Sequence, residues 1–136
     1  MHARELAAIH QEAFDVPWSE QAFAELLASP GVQLAGDERG FILTRTVAGE
    51  AEVLTVAVRP DFRRQGLGHQ LMAEAIVCSA ALGAERMFLE VAQSNVAAIA
   101  LYKSRGFEQV GLRKNYYQRA DGSSEHATVM ALNFAQ

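Results

Sequence analysis

Val58-Arg59-Pro60-Asp61-Phe62-Arg63-Arg64-Gln65-Gly66-Leu67-Gly68-His69 carries an apolar strand through a basic, glycine-containing turn and straight into a helix. Free N–H groups at a helix N-terminus favour an anion. Glycines at 66 and 68 let an anion approach the backbone closely, and Arg63 and Arg64 add positive charge. The turn reads as a cradle for phosphate or pyrophosphate. The plainer alternative is a helix start whose glycines serve packing and whose arginines are merely solvated. Two familiar phosphate loops do not fit. A P-loop needs Lys-Ser/Thr after its last glycine, and none follows Gly66 or Gly68. A dinucleotide fingerprint needs a third glycine where this chain has Leu71.

Upstream of the turn, residues 51–59 are apolar on both faces near their end, as expected of a strand in the middle of a sheet. Residues 32–36 and 41–48 read as two earlier strands, joined by turns at Gly36–Gly40 and Ala48–Glu50. Before them, residues 3–14 form a helical pattern with Leu6, Ile9 and Ala13 on one stripe and Phe14 beside it. Pro17 interrupts that pattern. Ser19 is a good N-cap for a second helix with Phe23, Leu26 and Leu27 inward, ended by Ser29-Pro30-Gly31. Downstream, a helix spans about Gly66 to Leu82, with Leu67, Leu71, Ala75, Cys78 and Leu82 as its apolar stripe and Gly83 closing it. Met87–Val91 is a short strand, and Asn95–Ser104 a helix closed by Gly106 with Phe107 packed behind it. Residues 107–112 and 128–134 are the last strands, separated by a long polar and aromatic loop, Arg113–His126. The order α-α-β-β-β-α-β-α-β-β predicts an α/β chain with a mixed sheet and helices on both faces.

Composition removes several classes of function. The 136 residues suit one domain, 1–136. With 50% hydrophobic and 21% charged residues, the chain can bury a core. No apolar run reaches the roughly 18–20 residues of a membrane span, and the longest, residues 71–82, is broken by Glu74 and Ser79. Met1-His2-Ala3-Arg4-Glu5 does not read as a secretory signal. The lone Cys78 forbids an internal disulfide and favours a reducing, cytoplasmic setting. It falls on the apolar stripe of its helix, so a buried, inert thiol is expected. A net charge of −4 argues against nucleic acid as a partner. His2, His10, His69 and His126 lack ligand spacing, so no metal is expected.

What remains in the turn, Arg63-x-x-Gly66-x-Gly68, resembles the pyrophosphate-binding signature of the GNAT superfamily of N-acetyltransferases. Leu89-Glu90-Val91, Asn95, Ala98-Ile99-Ala100-Leu101-Tyr102 and Gly106-Phe107 resemble the second half of that family's core. Pro17-Trp18-Ser19-Glu20, Arg113-Lys114-Asn115-Tyr116-Tyr117 and Asp121-Gly122 resemble the branch that acetylates the N-terminal alanine of a small-subunit ribosomal protein. The resemblance covers about residues 5–134. It implies a mostly antiparallel central sheet with one splayed parallel pair, and here a first edge strand that is short or absent. It also implies acetyl-CoA as the acetyl donor and a protein N-terminus as acceptor. Nothing sets the oligomeric state; a monomer or weak dimer is expected.

The same resemblance distributes roles. Glu90 is the general base and helps bind the acceptor; Tyr102 is the acid that protonates the leaving thiolate. Arg63, Arg64, Gln65, Gly66, Leu67, Gly68 and His69 hold the pyrophosphate, mainly through backbone N–H groups. Val56, Ala57 and Val58 run along the pantetheine, and Asn95 and Tyr102 also touch the cofactor. Tyr116 and Tyr117 form one wall of the peptide groove, while Trp18 is expected in the core. Each residue also has a simpler reading: Glu90 as a surface carboxylate, Tyr102 as a core tyrosine, Asn95 as a helix cap, His69 as a solvated side chain. At the level of the protein, two alternatives stand: an acetyltransferase of small amines or lysines, and a CoA-binding module without catalysis.

Overall fold

A computed structural model describes residues 1–134. Two helices come first, α1 (Ala3–Ala13) and α2 (Glu20–Leu27), the second capped by Ser19, whose hydroxyl accepts the Ala22 N–H at 3.1 Å. Three strands follow, β1 (Val32–Asp37), β2 (Gly40–Val47) and β3 (Glu50–Val58). A single 3₁₀ turn, Pro60–Phe62, leads into α3 (Leu67–Ala81). Then come β4 (Arg86–Ala92), α4 (Val96–Ser104), β5 (Glu108–Gln118) and β6 (Ser124–Asn133). The ten-element order is the expected one, and no strand precedes α1 among the described residues.

The strands form one sheet in the order β1-β2-β3-β4-β6-β5. Every neighbouring pair is antiparallel except β3 and β4. That parallel pair is short: Glu50, Ala51 and Glu52 face Arg86, Met87 and Phe88, and beyond them the strands part. The cause sits in β3. Leu43 pairs with Thr55 but Thr44 pairs with Val53, so Leu54 is an extra residue opposite nothing. Such a bulge bends its strand and sharpens its twist. It also exchanges the faces of the strand. Ala51 and Val53 lie in one core, with Leu67, Leu71, Met72 and Ala75 of α3. Beyond the bulge Ala57 lies in the other, with Leu6 and Ile9 of α1 and Phe23 of α2. In this second core the Phe23 and Phe41 rings meet edge to face at 5.7 Å. Burying each ring contributes about 2–3 kcal/mol.

Three expectations need correction. The apolar stripe of α3 runs through Leu67, Leu71, Met72, Ala75 and Ser79, whereas Leu82 is exposed and Cys78 only half-buried. The expected stripe takes a three-residue step from Ala75 to Cys78, whereas the buried face continues from Ala75 by a four-residue step to Ser79. The segment 113–126 is mostly strand rather than loop. β5 runs on to Gln118 and β6 starts at Ser124, with a register break between Arg113 and Tyr117. Nearly every β5 residue is exposed, so the strand has no alternating pattern to betray it. Trp18 is not core. It is 37% exposed and stacks on His10 at 5.1 Å.

Candidate active site

The parting of β3 and β4 opens a cavity of about 480 Å³. Val53–Val56 of β3 line one side and Leu89–Ala92 of β4 the other. Asn95 and Tyr102 of α4 close it on one face of the sheet. His10, Phe14 and Trp18, with Tyr117, Arg119 and Glu125 of the β5–β6 hairpin, surround it on the rest. Glu90 and Tyr102, expected to share the chemistry, border the same space. In β4 the buried Leu89 and Val91 point into the α3 core, so Glu90 between them points to the α1 side. Tyr102 packs against the α3 core. The gap between the strands thus gives both side chains access to one cavity from opposite faces of the sheet.

The turn beyond β3 has the form of an anion cradle. Among the described residues, no backbone carbonyl accepts an N–H from Arg64 through His69. Gly66, the N-cap of α3, has φ +81°, and a side chain there would meet nothing within 4 Å, so its face is open to an incoming group. Gly68 serves a different need. A Cβ at 68 would sit 2.9 Å from Leu101 Cδ1, so the glycine lets α3 close on α4. Arg64 takes a left-handed φ of +64°, a conformation that costs a non-glycine residue about 1–2 kcal/mol. Arg63 turns back, its Nε donating to the Val58 carbonyl at 3.1 Å, and ties the turn to the end of β3. Gln65 likewise donates to the Asp61 carbonyl at 3.2 Å. His69 is exposed, and its carbonyl accepts from Arg105 at 3.4 Å. Val56 borders the cavity, while Ala57 and Val58 continue β3 toward the turn, paired with β2 only. A polar chain lying from the cradle to the cavity would therefore run along a strand edge with unpaired backbone groups.

Asn95 does what its cap reading requires, accepting the Ala98 N–H at 3.2 Å, and also lines the cavity. Burial pushes the Tyr102 phenol up to about 12, so it carries its proton throughout the working range of pH. The Glu90 side chain is 15% exposed and accepts two hydrogen bonds from Arg113 Nη1, at 2.9 and 3.1 Å. Tyr117 donates its hydroxyl to the Glu90 carbonyl at 2.7 Å. Burial, followed by the neighbouring Tyr116 and Glu90, pushes the Tyr117 phenol well above the usual range, which keeps it a donor. Tyr117 lines the cavity; Tyr116 does not, and lies instead under the Arg113 guanidinium, 4.0 Å from the ring centre.

Three side chains at the site were not singled out from the sequence. His10 is 1% exposed. Its Nδ1 accepts the Trp18 N–H at 3.0 Å, so Nε2 carries the proton and donates to Thr55 Oγ1 at 3.1 Å. Burial lowers its pKa to about 4, which leaves the imidazole neutral at pH 7. A lone histidine on a helix gives no sign of such a role in sequence. Asp15 accepts the Ala120 N–H at 2.8 Å and joins the α1–α2 loop to the hairpin. Arg113 was read only as part of a motif. Two others sit side by side in β6: Glu125, which lines the cavity, accepts the Ser94 N–H at 2.6 Å and pairs with Arg119. His126 Nδ1 accepts the Asn115 N–H at 3.0 Å, holding the bulge where Asn115 has φ +53°.

Known proteins share both the sequence and the shape. Residues 3–107 match the family described as Acetyltransferase (GNAT) family. The chain is 41% identical over 128 residues to the [ribosomal protein bS18]-alanine N-acetyltransferase of Escherichia coli, covering 91% of this chain and 86% of that one. It is 37% identical over 127 residues to the N-alpha-acetyltransferase RimI of Mycobacterium tuberculosis, covering 85% and 78%. The crystal structure of the ribosomal-protein-S18-alanine N-acetyltransferase from Escherichia coli superposes with a TM-score of 0.88 at 37% identity, covering 98% of this chain and 88% of that one. With its sheet parted beyond a bulge, its open turn at the head of α3 and these relatives, the chain belongs to the GNAT family of acetyltransferases.

Proposed function

We propose that the whole chain acts as one domain that transfers an acetyl group from acetyl-CoA to a protein N-terminus. Its target would be the N-terminal alanine of ribosomal protein bS18, the substrate that its relatives' names state. A single observation carries the proposal: Glu90 and Tyr102 border one cavity, and from its Val56 wall the unpaired edge of β3 leads through Ala57 and Val58 to the open turn at Gly66. Acetyl-CoA supplies a thioester, an acyl group already activated for attack by an amine.

The residues then divide the work. Backbone N–H groups from Arg64 to His69 hold the pyrophosphate, and Val56, Ala57 and Val58 accompany the pantetheine. An α-amino group has a pKa near ~7.7–8.0, so much of it is protonated at neutral pH. Glu90 takes one proton from the ammonium form, the neutral amine attacks the acetyl carbon, and the nitrogen sheds its second proton to solvent as the carbon–sulfur bond breaks. The Tyr102 hydroxyl returns a proton to the departing sulfur. Asn95 orders the start of α4 and the cofactor beside it. Tyr117, Trp18 and the Asp15–Ala120 contact surround the entering peptide. No helix among the described residues is long and apolar enough to cross a membrane. A ribosomal substrate would place the reaction in the cytoplasm.

The test is thiol release from acetyl-CoA with three acceptors: an Ala-initiated peptide, the same peptide with its N-terminus blocked and a lysine left free, and a set of small amines. Turnover confined to the free N-terminus is expected. Turnover confined to lysines or small amines would replace the acceptor. Tight binding of acetyl-CoA with no turnover on any amine would leave only a binding module.

A further inference from the structure

Arg113 and Tyr116 belong to the motif that suggested a peptide wall, yet neither borders the cavity. They meet the site through Glu90. The Glu90 side chain is 15% exposed and faces the cavity, while that of Arg113 is 55% exposed and reaches its carboxylate from outside. One guanidinium nitrogen spans both carboxylate oxygens, at 2.9 and 3.1 Å. The guanidinium itself lies on the Tyr116 ring at 4.0 Å, a contact that orients a planar cation. The register break between Arg113 and Tyr117 creates this geometry. It lets β5, which is separated from β4 by β6, send two side chains across to Glu90. Tyr117 pins the Glu90 backbone from the same hairpin at 2.7 Å.

We propose that Arg113, seated on Tyr116, is a positioning residue that braces the Glu90 carboxylate from outside the cavity. It keeps that carboxylate fixed and aimed at the acceptor amine rather than binding the acceptor itself. The catalytic consequence rests on the reading of Glu90 as the base. A point charge on a flexible stem would replace the brace only in part, because it lacks the planar face that rests on the ring.

The test uses the full chain and the Ala-initiated peptide. R113M is expected to lower kcat about tenfold and to change the acceptor KM less than threefold; R113K recovers part of the rate. Y116A lowers kcat by a smaller factor, and the double variant loses less than the product of the two single losses, because the Tyr116 ring supports the Arg113–Glu90 contact. In an E90Q background R113M has no further effect. R113M with intact kcat and a tenfold higher acceptor KM would make Arg113 a substrate-binding group and overturn the brace. So would an equal loss from R113M with or without Glu90. A readout independent of turnover separates this from failure of the base. In wild-type protein the ¹⁵N guanidinium signals of Arg113 are slow to exchange, and become as fast as those of exposed Arg4 in both E90Q and Y116A. Fast exchange in the wild type overturns the brace even if Glu90 is the base. Full kcat in E90Q, with Arg113 exchange slow in the wild type and fast in E90Q, removes the base and leaves the brace.

Discussion

At the Gly66 turn the chain offers backbone, and at the hairpin beside the cavity it offers side chains. The turn before α3 and the free edge of β3 present N–H and C=O groups whose positions follow from a bulge, a positive φ and a helix start. The far end is assembled from segments distant in sequence: Asp15 on Ala120, Arg113 on Glu90, Ser94 on Glu125. Backbone groups suit a ligand that never changes, such as a cofactor. Side chains can be exchanged one at a time, which suits a surface that selects among acceptors.

This contrast can be tested by breaking each end separately. The largest effect belongs to the shared chemistry between them. Glu90→Gln and Tyr102→Phe should each lower kcat about 10²–10⁴-fold, the usual range for losing a general acid or base, with acetyl-CoA affinity nearly intact; single-turnover thiol release and calorimetry would show both. A wild-type rate in either variant would withdraw that residue's role.

Next comes stability, through His10. Its folded pKa is lowered to about 4 from an ordinary 6.5. The unfolded chain therefore takes up a proton as pH falls through 6.5, while the folded chain does not until about 4. Stability from this group is complete above pH 6.5, falls between 6.5 and 4, and drops no further below that. The loss at the bottom of the window is roughly 3 kcal/mol. Urea unfolding of wild type and His10→Gln across pH 4–7 should show that slope in the wild type alone.

At the cradle end, Gly66→Val combines a strained φ with a side chain in the open face of the turn. It should raise the acetyl-CoA KM about tenfold, the equivalent of ~1.4 kcal/mol, and leave the acceptor KM alone. The smallest effect lies at the opposite end. Asp15→Ala removes one exposed hydrogen bond, worth about 1 kcal/mol. It should raise the acceptor KM two- to fivefold without touching acetyl-CoA. If either variant moved the KM of the other substrate instead, the division between the two ends would fail.

The same division governs what could be read without a structure. The cradle was legible because backbone demands leave glycines at fixed spacing, and Gly66 and Gly68 are there for two separate reasons. Glu90 stood out mainly through the family resemblance, and the order of elements followed from periodicity. The hairpin was not. Beyond residue 112 β5 is exposed on both faces, so its residues alternate with nothing, and a run rich in polar and aromatic residues reads as loop. The partners of Glu90 were hidden because Arg113 reaches it across an intervening strand. His10 was hidden because a histidine beside Ile9 reads equally well as core.

Leu54 has a consequence of its own. Parity along a strand is a count, and one surplus residue shifts it by one. In β3 that shift lets a single strand face α3 with Val53 and α1 with Ala57, both odd-numbered. It also keeps the rest of β3 out of phase with β4. The cleft is therefore a dislocation in an otherwise regular lattice. Removing Leu54 would restore the phase, and the two strands would be free to zip shut over the cavity between them. A defect of this kind is set by arithmetic rather than by side-chain chemistry. The residues around the cleft can change while it persists, but the length of β3 cannot.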